Sequence, residues 1–271
     1  MKKQKSLLWE IQHPESVYQS YVFGTMHLRG DEAYAHYQLA LNAMDQCQAL
    51  ALEYNLDEGQ QTPSSHYFEL PEGQSLTDIV GEKKYKKMRK IFLKAFNVDL
   101  DFCKNMIPLI VINLISESVF SQERALPLDS QLWAEGVERG LRLSGVETFA
   151  AQMETLQKIP LSFQMKAIKS IASNVTRYRK NILALAKAYT KQDIHKLYKE
   201  SKRSLGATKK VLLYNRNETM ADSIWDQSKG QNVFFGIGAA HLAGQKGVLK
   251  LLKDRGLKLR AIPNKNKFLK G

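Results

Sequence analysis

Val233-Phe234-Phe235-Gly236-Ile237-Gly238-Ala239-Ala240-His241-Leu242 is the stretch on which the reading of this 271-residue chain turns. The apolar run from Val233 to Gly238 suits a buried strand of a largely parallel sheet. Its closing glycine permits a sharp turn, and a histidine follows three residues later. The same form stands near the other end, in Phe23-Gly24-Thr25-Met26-His27-Leu28. Both stretches consist of an apolar strand, a glycine, two small or apolar residues, a histidine and a leucine. Ligand sites of α/β sheets form at the carboxyl ends of strands, so two such turns on neighbouring strands would aim His27 and His241 at one spot. Glu53 ends a third apolar run, Ala49-Leu50-Ala51-Leu52. An acid in that position is costly unless it is paired or coordinating.

Working outward from these runs gives the rest of the architecture. Leu7–Ile11 and Ser20–Gly24 read as a hairpin across the turn composition His13-Pro14-Glu15-Ser16. Asp31 is placed as a helix N-cap, with Tyr34, Tyr37, Leu41 and Met44 at helical spacing behind it. From Leu76 to Gln122 the pattern is mostly helical, and Met106 to Phe120 is apolar enough for a buried helix or the wall of a cleft. Leu132 to Leu141 suggests a helix and Leu143 to Val146 a short strand. One long helix is expected from Phe163 to Tyr189, because Ile168, Ile171, Val175, Tyr178, Ile182 and Leu185 form a single apolar stripe. A shorter helix around Ile194 and Leu197 follows, then one over about Lys209 to Trp225. After the strand at Val233, Val248 to Leu252 reads as a helix and Leu257 to Ala261 as a last strand. The expected fold is α/β: a central mixed sheet flanked by helices, with α/β halves at about 1–60 and 205–262 around a largely helical middle, in one domain over 1–271.

Composition narrows the function classes. No run of about 18 apolar residues occurs, so no membrane span is expected. The basic start Met1–Lys5 is followed by Glu10 before an apolar signal segment can form, which leads to the expectation of a cytoplasmic protein. Cys47 and Cys103 are far apart with no CxxC partner, and read as buried thiols. The net charge of +13 gathers in lysine-rich stretches, but aromatics are not interleaved with them. A solvated basic face fits better than a specific nucleic-acid platform. His13, His36, His66 and His195 read as structural: His36 and His195 at polar helix positions, His13 and His66 in turn-rich segments.

The paired GxxH motifs with the acid-terminated strand resemble the TraB/GumN family, which includes the Tiki proteases and is distantly similar to erythromycin esterases. The likeness extends along nearly the whole chain in the family's order. Leu128-Asp129 with Trp133-Ala134-Glu135-Gly136 looks like its Asp-led helix, and Gly145-Val146-Glu147-Thr148 with Gln152 like its LET…Q segment. Asn215-Arg216-Asn217 with Met220-Ala221 looks like its RN…MA helix, and Gly238 to Gly244 with Gly247 follows its C-terminal motif. The resemblance implies a compact α/β domain with a metal-dependent peptidase or related hydrolase site. Carried over by position, His27, Glu53 and His241 would be ligands of a divalent ion (Zn, Mn or Co), and Arg216 the family's cation.

Two imidazoles and a carboxylate would leave an open position for a water whose pKa the ion lowers. Arg216 could hold a substrate carboxylate or a developing oxyanion. Asp129 could orient a histidine, and Glu147 could do the same or act as general base. Each also has a plain structural reading, Arg216 with Glu147 as a buried ion pair and Asp129 as a helix cap. The expectation is a hydrolase of a peptide or small molecule. The alternatives are a metal-free hydrolase with a histidine base oriented by Glu53, and a non-catalytic ligand-binding or regulatory protein. The Met106–Ile115 segment, with Leu109 and Ile112, is expected to line a groove for an extended peptide.

Overall fold

A computed structural model describes residues 4–61, 65–120 and 124–264, apart from the side chains of residues 60, 61, 65 and 66. Six strands form one mixed sheet: β1 (Leu8–Gln12), β2 (Gln19–Thr25), β3 (Ala49–Leu52), β4 (Arg142–Gly145), β5 (Val233–Gly238) and β6 (Lys258–Ile262), in the order β4-β3-β5-β2-β1-β6. β4, β3, β5 and β2 run parallel; β1 pairs antiparallel with both β2 and β6. The hairpin read from the sequence is present, with Leu8 opposite Phe23. The α/β class is likewise what the chain adopts.

Burial follows the pairing. All four residues of β3 and the first five of β5 are buried, as strands covered on both faces require, whereas the edge strand β6 is half-exposed. Phe23, Phe234 and Phe235 are fully buried at the centre of the core. Each such side chain contributes roughly 1.5–3 kcal/mol. A second apolar cluster holds the helical middle together, with Phe92 and Phe96 of the Glu82–Phe96 helix packed on Val111, Ile115, Met165 and Ile168. Cys47 and Cys103 are buried and unpaired with each other. Among the described residues no helix is long and apolar enough to cross a membrane.

Several helices differ from their sequence reading. Asp31 is not an N-cap: Gly30 holds that position, and Asp31 lies in the first turn, paired with Arg124. The helix behind it is split into Asp31–Tyr34 and Tyr37–Met44. The break falls at His36, which is not on a polar face but buried, its Nε2 3.1 Å from the carbonyl of Thr190. His13 is also buried, edge-on to Trp225, and His195 meets the carbonyl of Gln4; the side chain of His66 and the residue Gln122 lie outside the described residues. The long helix expected over 163–189 is two, Leu161–Ser173 and Val175–Thr190. Asn174 leaves helical geometry and its side chain accepts a hydrogen bond from the amide of Arg177, so it caps the second helix. The helix from Lys209 starts as a π-helical turn, Lys210–Asn215, and becomes α-helical at Arg216–Gly230. Proline sets the start of Pro108–Glu117 at its first turn, two residues after the expected Met106.

The parallel strands end along one edge of the sheet, with Thr25 level with Gly238 and Leu52 level with Gly145. The crossover helices Leu128–Glu138 and Arg216–Gly230 precede β4 and β5 and therefore begin at this same edge. Gly24 serves closeness rather than turning: it is not among the residues with positive φ. A Cβ there would lie 2.7 Å from Leu242 Cδ1 and 3.0 Å from Ala239 Cα, so a side chain would push the turn after β5 away from β2. Gly24→Ala is expected to lower stability by about 1–3 kcal/mol, as overpacking does, read as a shifted urea midpoint. An unchanged midpoint would show that this contact is not tight in solution.

Candidate functional site

Glu53 follows the last residue of β3 and stands at the middle of that edge. Its Oε1 accepts the amide hydrogen of Gly238 at 2.7 Å; its Oε2 accepts from Arg216 Nη2 at 2.8 Å and Gln152 Nε2 at 3.1 Å. Gly238 has no side chain because Glu53 occupies the space: a Cβ would lie 2.9 Å from Oε1. Burial would raise the Glu53 pKa, but Arg216, His241 and the Gly238 amide outweigh it and hold the carboxyl at about 2. Glu53 is ionised at any physiological pH.

Arg216 opens the Arg216–Gly230 helix and bridges two strand ends. Besides Glu53 it holds Glu147, which lies two residues beyond β4, through Nε at 2.9 Å and Nη2 at 2.7 Å. Burial opposes the Arg216 charge, but both carboxylates raise its pKa above the ordinary guanidinium value. Glu147 is only 5% exposed, and burial pushes its pKa up against the pull of Arg216, with the charge of Glu53 adding to the rise. The ion pair anticipated for Arg216 and Glu147 is thus a triad that includes Glu53. Among the described residues Arg216 Nη1 has no partner, which leaves one guanidinium edge uncommitted.

His241 lies in the short helical turn Ala239–His241 after β5 and is buried. Its Nδ1 is 2.5 Å from Asn217 Oδ1, and Asn217 Nδ2 donates to the carbonyl of Lys246. Because that carbonyl can only accept, the orientation of the Asn217 amide is settled, and so is the tautomer: Nδ1–H donates to Asn217 and Nε2 keeps its lone pair. Burial lowers the His241 pKa to about 4, with Arg216 adding to the fall against the pull of Glu53. Asn217 is the residue whose role composition and spacing did not suggest. It is adjacent to Arg216 on one helix, so the two side chains point about 100° apart and reach different partners.

His27 sits differently. It follows β2 by two residues, and its side chain is 62% exposed. Its Nδ1 is 3.3 Å from Asp129 Oδ2. That contact raises its pKa against the effect of burial, and the charges of Asp129, Glu117 and Glu53 add to it. Asp129 does not cap its helix; Pro127 occupies the cap position of Leu128–Glu138 and no side chain closes it.

Two adjoining clefts of about 400 Å³ each share Thr25, Glu53 and Gly238. One holds His27, Asp129 and Gln152; the other holds Arg216 and His241. The two histidines thus flank Glu53 from different sides. The Pro108–Glu117 helix walls the first cleft through Ile110, Asn113, Ser116 and Glu117, not through Leu109 and Ile112 as expected. Among the described residues no group of three or more His, Cys, Asp or Glu side chains is placed to hold a metal ion. The donor set of His27, Glu53 and His241 is chemically apt for one, but both Glu53 oxygens already accept hydrogen bonds. In this arrangement the three do not fit a common ion.

The triad generates a stability prediction. Arg216→Gln would leave Glu53 and Glu147 facing each other with no cation, and the expected loss is about 3–5 kcal/mol. Arg216→Lys should recover only part, since a point charge cannot span both carboxylates. Urea unfolding of the three proteins measures this; equal midpoints would mean the cluster is solvated in solution.

Searches of curated proteins and of solved structures return no match. The model of the TraB/PrgY/gumN family matches residues 7–261, from the first strand into the last, a range that includes every residue of the site. The chain belongs to the TraB/PrgY/gumN family.

Proposed function

We propose that this protein is a hydrolase of peptides or small molecules, with the His27–Asp129 pair as its general base. The observation that supports it is the open position of His27 in a cleft, with Nδ1 held by a carboxylate. A carboxylate accepts, so the neutral ring carries its proton on Nδ1 and offers the Nε2 lone pair to the cleft. Water loses a proton to Nε2 as its oxygen bonds to the carbonyl carbon. The imidazolium, steadied by Asp129, returns that proton to the leaving nitrogen or oxygen as the scissile bond breaks. Arg216, held charged by Glu53 and Glu147, has Nη1 to offer an oxyanion or a substrate carboxylate from the adjoining cleft. Neutral His241 is a further acceptor on that side through Nε2.

A second reading, a hydrolase dependent on Zn, Mn or Co, has its own supporting observation. Both histidines are held through Nδ1, one by Asp129 and one by Asn217, as ligating imidazoles are. An ion bound by His27, Glu53 and His241 would supply Lewis acidity toward a water. It would require Glu53 to exchange hydrogen-bond donors for the ion and the two rings to move together. A ligand-binding protein without catalysis is the remaining alternative.

Digestion of a peptide library tests the first reading. His27→Ala is expected to reduce cleavage by about 10²–10⁴-fold, the usual contribution of a general base. The base must be unprotonated, so the rate should rise with pH through the His27 pKa, which Asp129 raises above 6.5. Asp129→Asn removes the raising partner, and the acid limb should move to lower pH while the plateau falls. Equal cleavage by wild type and His27→Ala would sink the hydrolase reading at this cleft.

The metal is tested separately. Protein purified without a histidine tag, analysed for bound metal and treated with a chelator, should keep its activity under the first reading. Activity lost to the chelator, restored by Zn, Mn or Co, and not restored in His241→Ala would decide for the second.

A further inference from the structure

Among the described residues the His27 cleft is lined by three carboxylates, and two of them are spoken for. Glu53 answers Arg216 and the Gly238 amide, and Asp129 answers His27. The third, Glu117, is half-buried, lines the cleft, and among the described residues has no hydrogen bond or ion pair to its side chain. It is the last residue of the Pro108–Glu117 helix, whose carbonyl end disfavours a negative charge. A second acceptor nearby is also unanswered. Gln152 commits its Nε2 to Glu53, which fixes the amide orientation, and its buried Oε1 is left without a partner. No lysine or arginine is among the described residues lining this cleft, although the chain as a whole carries a net charge of +13. The remaining wall is apolar, with Tyr54, Leu56, Phe68, Phe149 and Met153. An unanswered carboxylate with no lysine or arginine beside it calls for a donor-rich positive group, and the apolar wall calls for a hydrocarbon beside it.

We infer that Glu117 is a specificity determinant that receives a primary ammonium group of the substrate, with an apolar side chain of the same substrate on the facing wall. The inference rests on the reading of this cleft as the substrate site. An amino terminus and a lysine side chain present the same chemistry, and the geometry favours either over a neutral or acidic substrate. Among the described residues no ion pair joins Glu117 to His27, and the carboxylate paired with that ring is Asp129.

The test uses leucine- and phenylalanine-containing hexapeptides in three forms: free amino terminus, acetylated amino terminus, and acetylated with one internal lysine. Affinities are measured by calorimetry on His27→Ala with Asp129→Asn, which removes the carboxylate that the missing histidine would leave unpaired, and on the same protein with Glu117→Gln, so that binding is read whether or not the wild type hydrolyses anything. Loss of one charge-assisted contact predicts that an ammonium-bearing form binds about 10–100-fold more tightly than the acetylated peptide, and that Glu117→Gln abolishes the difference. Preference for the free terminus alone, or for lysine alone, identifies the source. If the wild type cleaves peptides, the same ratio should appear in KM rather than kcat. In wild-type cleavage, a Glu117→Gln effect that is alike for all three peptides means that the carboxylate acts only through its charge on His27, which overturns the inference. So does equal binding of all three forms, binding of none, or a preference that survives Glu117→Gln. Thermal melts of Glu117→Gln and Glu117→Asp exclude misfolding, and Glu117→Asp should keep part of the preference.

Discussion

One guanidinium between two carboxylates organises the working edge of this fold. Arg216 binds Glu53, just past β3, and Glu147, just past β4, while standing at the first turn of the helix that leads into β5. Three chain segments far apart in sequence are therefore fixed by one side chain. Desolvating these charges is expensive, and the mutual attraction repays it only because the remaining lone pairs are filled. The Gly238 amide and Gln152 do that for Glu53. The requirement propagates into the sequence: Gly238 has to be glycine because the carboxylate stands where its Cβ would be.

Much of the fold was legible, and the reasons are local. The hairpin, β3 and β5 were readable because apolar runs bounded by turn residues have few other solutions. What was missed depended on contacts between distant segments. The stripe from Ile168 to Leu185 continues across Asn174, and nothing in its spacing says that Asn174 leaves the helix to cap the next one. His36 looks like a polar helix position until the Val175–Thr190 helix is packed against it and offers a carbonyl. The glycine of the first GxxH motif looks like a turn residue in the sequence, yet its φ is not positive, and closeness to Leu242 is what requires it. Periodicity reports which face is buried; it does not report how near the neighbour comes.

The site was legible to a similar depth. Residue types at strand ends pointed to His27, Glu53 and His241, and all three do lie along one edge of the sheet. Their convergence on a single point was an inference from likeness of motif, and the two copies of the motif have different surroundings. The loop after β2 is left open beside Asp129, whereas the turn after β5 is roofed by the Ile194–Leu205 helix and anchored by Asn217. Asn217 gives no signal in the sequence, because a neutral amide has no evident role until its two partners are known.

That difference of surroundings has chemical content. Two histidines from one motif are driven in opposite directions: burial brings His241 down to about 4, and Asp129 raises His27. Near neutral pH His241 is a neutral acceptor, while His27, paired with Asp129, holds a proton more readily than a free imidazole does. Glu53, ionised and shared by both clefts, contributes to each histidine by its charge but cannot itself carry the proton at about 2. Groups whose environments separate their pKa values are the ones able to divide acid and base duties. In the proposed hydrolysis this assigns the moving proton to the exposed ring and leaves the buried ring, the triad and Asn217 as a fixed electrostatic frame. The motif repeats, but the chemistry it can serve does not, because one ring is largely exposed and the other is buried.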